Sequence, residues 1–165
     1  MSDDKHGVRS RRERDAAKHK PHRIQDRFYR AKREAQMSCE SLRVQIGRAQ
    51  LSDACARDLL RALDTAEAQI EKIDLTRSHP GSQLRSISKE VGHLALAESW
   101  LAAAHRVTLR LGKQDSSRVV AGLDDRADSV LWLVRAGDGG GHLTAAVKEL
   151  QREVQEAETV AARIA

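Results

Sequence analysis

Residues 141–165 read GHLTAAVKELQREVQEAETVAARIA, and a single periodicity organises them. Leu143, Val147, Leu150, Val154, Ala157, Ala161 and Ile164 follow one another at alternating steps of four and three. That spacing draws one apolar stripe down an α-helix and has the rhythm of a coiled-coil seam. Lys148, Glu149, Arg152, Glu153 and Glu156 occupy the other faces. A helix about 37 Å long is marginal alone in water, so the stripe must bury against something.

The same grammar recurs upstream. Gly137-Asp138-Gly139-Gly140-Gly141 is a flexible link, preceded from about Asp115-Ser116 by Val119, Val120, Leu123, Ala127, Val130, Leu131 and Val134. A third periodic run, Gln83 to Leu111, carries Leu84, Ile87, Val91, Leu94, Leu101 and Ala104 and stops at Gly112. Arg77 to Ser82, with Pro80-Gly81 inside it, is turn chemistry. The second run, Cys55, Leu59, Leu63, Ala66, Ile70 and Ile73, has Ser52 as N-cap, Asp53 in its first turn and Leu51 as a staple. The first begins at His22 and steps through Ile24, Phe28, Ala31, Ala35, Leu42, Ile46 and Ala49. Short links between helices of this length make antiparallel neighbours. The fold expected is therefore all-α: an up-and-down bundle of four to five helices over residues 22–165, with residues 1–21 as a disordered basic arm.

Composition agrees. Aromatic residues make up 2% of the 165, namely Phe28, Tyr29, Trp100 and Trp132, and alanine is the commonest residue. Sheets lean on aromatic and β-branched residues, so this mixture favours helix. Trp100 and Trp132 are expected in the core, the alternative being that they mark a partner groove. No apolar run is long enough to span a bilayer, and the polar N-terminal stretch has no secretory apolar core. Cys39 and Cys55 fit no metal-ligand spacing and read as small buried residues in a reducing compartment. The expected location is cytoplasmic, and the preference for Arg over Lys suggests a GC-rich, bacterial genome.

Charge is unevenly placed. Residues 1–34 hold 12 of the 29 basic residues and 6 of the 24 acidic ones, so the whole net charge of +5 resides in the first fifth of the chain. Arg9, Arg11, Arg12, Arg14, Lys18 and Lys20 crowd the arm, and Arg23, Arg27, Arg30 and Arg33 recur along one flank of the first helix. A basic arm leading into a basic helix flank is the electrostatic footprint of a nucleic-acid partner.

Other chemistries are poorly served. A helix-turn-helix around Ile46-Gly47 and Asp53 to Leu63 would aim Asp53 and Asp58 at the duplex together with Arg57 and Arg61. Glu90 and His93 have the spacing of a di-iron half-site without the second half. His93 and His105 lack the Lys-Gly pair that follows a phosphotransfer histidine. Glu67, Glu71 and Asp74 could form half of a Mg²⁺ site only if Glu149, Glu153 and Glu156 faced them. No phosphate loop is present, because the glycine run lacks its Lys and its strand.

The expected function is a non-enzymatic, cofactor-free helical interaction protein. Its basic residues 1–34 contact nucleic acid while the helix seams oligomerise or dock a protein partner. The alternative is a helical adaptor, export chaperone or assembly factor with no nucleic-acid role.

Overall fold

The computed structural model describes the backbone of residues 2–112, 117–138 and 140–164; the side chains of residues 2–22, Ser117 and Ile164 lie outside the described part. Five helices follow one another: α1 (Ser2–Arg48), α2 (Asp53–Lys72), α3 (Pro80–Leu111), α4 (Ser117–Ala136) and α5 (Gly141–Ile164). No strand occurs among the described residues. The all-α bundle expected from periodicity is the fold found.

The breaks fall where the turn chemistry puts them. Ser52 caps α2 by accepting the Cys55 N–H on its hydroxyl at 3.2 Å, with Leu51 packed against the core just before it. Pro80 opens α3, where its missing N–H costs nothing, after His79 takes a left-handed turn at φ 55°. Gly137 sits at φ 68° beyond α4, a conformation a β-carbon would resist.

One start differs. The apolar stripe places the first helix from residue 22, whereas α1 is helical from Ser2 and passes through Pro21 without a break. The stripe marks where packing begins, while the Arg, Lys, Glu and Ala upstream are helix formers in their own right. Among the described side chains, the first core residue of α1 is Phe28. Gln45 meets Ala95, Glu98 and Ser99, a register that sets Pro80 level with about residue 27 of α1. Ile24, on the stripe but beyond that level, is 55% exposed.

α3 is the hub. All four other helices pack on it, in the order α1, α2, α4, α5 around its circumference. Among the described residues α1 and α5 do not touch, so the ring is open along one side of α3. This position explains why α3 buries more than a stripe: Ala97, Glu98, Ala102, Ala103 and Val107 are enclosed as well as Leu84, Val91 and Leu101. The small side chains let neighbours approach on several sides. No helix among the described residues is long and apolar enough to cross a membrane.

Candidate nucleic-acid interface

The predicted interface divides at residue 22. Arg9, Arg11, Arg12, Arg14, Lys18 and Lys20 have side chains outside the described residues. Arg23, Arg27, Arg30 and Arg33 are described, and all four are exposed on α1. None of them forms an ion pair among the described residues, whereas Arg43, Arg126 and Arg135 are each paired with a carboxylate. Phe28 anchors this part of α1 in the core; Tyr29 stands edge-on to it at 5.2 Å and is 59% exposed, and the Lys32 ammonium lies 5.9 Å from the Phe28 ring centre. The sequence supplies an aromatic beside the basic row, but only the fold shows Tyr29 facing outward.

Further along α1 the surface becomes self-neutralised. The Arg43 guanidinium reaches Asp64 at 2.7 Å and Glu67 at 3.0 Å on α2, and Gln36 donates to Glu71 at 3.1 Å. Those hydrogen bonds hold the Arg43 pKa above its ordinary value. Exposed pairs of this kind contribute about 0–1 kcal/mol, so they orient α2 against α1 more than they stabilise it.

The other constellations are not assembled. Glu67 and Glu71 face α1, while Glu149 and Glu153 face Arg126 of α4, and α2 does not touch α5. The paired-carboxylate Mg²⁺ arrangement is therefore not formed by these residues. Glu90 is exposed, and His93 Nδ1 lies 3.4 Å from the Thr144 hydroxyl rather than beside a carboxylate. Among the described residues no group of three or more His, Cys, Asp or Glu could hold a metal ion. Of the residues named for a helix-turn-helix, Asp58 is tied to Arg135 at 3.4 Å, while Asp53, Arg57 and Arg61 are exposed on α2, which packs against α1, α3 and α4.

Two features went unread in the sequence. Trp132, expected in the core, is 64% exposed on α4; the apolar positions beside it in sequence are the ones the bundle uses. A cleft of about 450 Å³ opens between α2, α3 and α4, with Ala62, Leu94, Leu133 and Leu143 along its walls and the Asp58–Arg135 pair at its rim. Arg61 and Glu90 also line it, and neither forms an ion pair among the described residues.

Both cysteines are buried and unpaired, and burial pushes each thiol up to about 11. A thiol held protonated is a poor nucleophile, so neither is placed for covalent chemistry. No protein-family model, curated protein or solved structure matches this chain.

Proposed function

We propose that the chain is a non-enzymatic helical binding protein: its basic N-terminal segment, residues 1–34, contacts nucleic acid, and the bundle carries that segment and docks a protein partner or a second copy. One observation carries the reading. Arg23, Arg27, Arg30 and Arg33 stand exposed and unpaired, continuing the basic run of the arm onto the folded part of α1. Unpaired surface arginines offer forked donors that match phosphate and release condensed counterions on contact.

Binding of a labelled duplex across a salt series tests this. Six to eight neutralised phosphates give a log–log slope of roughly −5 to −7. Removal of residues 1–22 lowers the affinity and flattens the slope while the bundle stays folded. If the truncated chain binds as tightly at the same ionic strength, the arm has no such role.

A second reading, a helical adaptor without nucleic acid, draws support from Trp132, since an exposed Trp is a common anchor of protein interfaces. Trp132→Ala then abolishes capture of the partner protein and leaves duplex binding unchanged.

A further inference from the structure

The open side of α3, between α1 and α5, carries charge of one sign. Arg85, Lys89, Arg106 and Arg110 lie on one row of α3, at steps of four and three that also include Gly92, Leu96, Ser99 and Ala103. The four cations are exposed, none is ion-paired among the described residues, and no carboxylate interrupts the row. Arg85 donates to the Ser82 hydroxyl at 3.3 Å.

A matching row runs along the adjoining edge of α1. Gln45 and Arg48 flank the opening, and helical steps backward from Gln45 pass through Ser41 and Ser38 to Arg30, Arg27 and Arg23. The two rows meet directly: Gln45 donates to the Ser99 hydroxyl at 3.2 Å, and Arg48 and Arg106 line one shallow groove of about 460 Å³. Glu34 is the one acid on the α1 row.

The register from Gln45 sorts these cations into two groups. At one end Arg27, Arg30 and Arg85 lie within about 9 Å of one another in level, with Lys89 further along and Arg23 beyond the start of α3; at the other, Arg106 and Arg110 lie about 8 and 14 Å past the level of Arg48. With a rise of 1.5 Å per residue, the centres of the two groups are about 35 Å apart. Between them the α3 row is neutral, with Gly92, Leu96 and Ser99 exposed and Ala103 buried.

We infer that this face is a seat for double-stranded DNA, the two cation groups contacting backbone phosphates one helical turn apart. A turn of B-DNA spans about 34–36 Å, which matches the separation of the groups. Seven of the eight cations are arginines, suited to forked contact with phosphate. The exposed floor of the α3 row is neutral, and the Glu98 carboxylate that also lines the groove lies beneath it, 2% exposed and covered by the Gln45 amide. The inference rests on the function proposed above and adds a second half of the contact, which lies in the bundle and not in the arm.

The test uses the full chain, a duplex of two turns and one of half a turn, with the variant Arg106→Gln/Arg110→Gln. On the long duplex the variant binds several-fold more weakly and its salt slope flattens by about 2, near 0.9 for each lost phosphate contact. On the short duplex, which cannot bridge the groups, the variant and the parent agree. Arg106→Lys/Arg110→Lys keeps the parental slope, since the charge remains. An unchanged slope for the glutamine variant on the long duplex overturns the inference, even where deletion of residues 1–22 abolishes binding and so upholds the functional reading. A parent that binds neither duplex overturns both. If the glutamine variant loses capture of a polyglutamate peptide while its duplex binding stays parental, the face docks an acidic protein and the inference is wrong.

Discussion

The Gln45 side chain of α1 covers the carboxylate of Glu98 on α3: its Nε2 donates to Glu98 Oε2 and also reaches the Ala95 carbonyl and the Ser99 hydroxyl. Glu98 is 2% exposed and is the one buried charged residue among those described. A carboxylate enclosed in this way demands a donor, and Gln45 supplies it across the α1–α3 contact.

Removing the donor therefore costs more than neutralising the acceptor. Gln45→Ala strands Glu98 and destabilises by about 1–3 kcal/mol, whereas Glu98→Gln, which keeps a hydrogen-bonding pair without the charge, costs less. Urea midpoints of the two variants and the double variant measure the difference. Equal losses for the two single changes would show that Gln45 contributes packing alone.

Leu150 lies at the centre of the α5 stripe and is 0% exposed. Leu150→Ala lowers stability by about 2–5 kcal/mol through lost transfer energy and a residual cavity. Leu150→Asp places an unpartnered carboxylate in the same enclosure and unfolds the bundle. Thermal melting reads both, and melts at two protein concentrations show whether α5 also serves a second chain.

Cys39 and Cys55 give the fold an alkaline limit. Burial, aided by Glu67 for Cys39 and by Asp58 and Glu98 for Cys55, pushes both thiols from 9.0 to about 11. The folded state thus holds these protons to higher pH than the unfolded chain does. Their contribution is complete below the unfolded value and is lost as pH climbs from 9.0 toward 11. Urea midpoints of the parent fall over that window more steeply than those of Cys39→Ala/Cys55→Ala. Parallel declines would show that other groups set the alkaline limit.

Much of this architecture could be read from residue order. Ser52, Pro80 and Gly137 are local signals, complete within a few residues, and each break occurs beside them. The core stripes were legible because periodicity reports burial directly. Burial around α3 was not, since Ala97, Ala102 and Ala103 look alike on a surface and inside, and only the packing order makes α3 central. Trp132 was misplaced for the complementary reason: size suggests a core, but its position on α4 faces away from α3 and α5. The cations of α1 were visible as a run of charge. Those of α3 are four residues spread over 26 positions, and they form a face only once the absence of contact between α1 and α5 is known.

That missing contact also shapes how the chain reaches its fold. α1, α2 and α3 form one unit of sequence neighbours, α3, α4 and α5 another, and the two share a helix. Among the described residues each helix pairs only with helices one or two places away in the chain, which limits the loops to be closed and favours rapid folding. During synthesis the first unit can assemble as soon as α3 has emerged. The second cannot: α3 and α4 hold an unfilled seam until residues 141–164 arrive. Throughout that interval the nascent chain displays the apolar surface that α5 will later cover, and it is then, rather than in the finished protein, that a chaperone or a premature partner has most to grip.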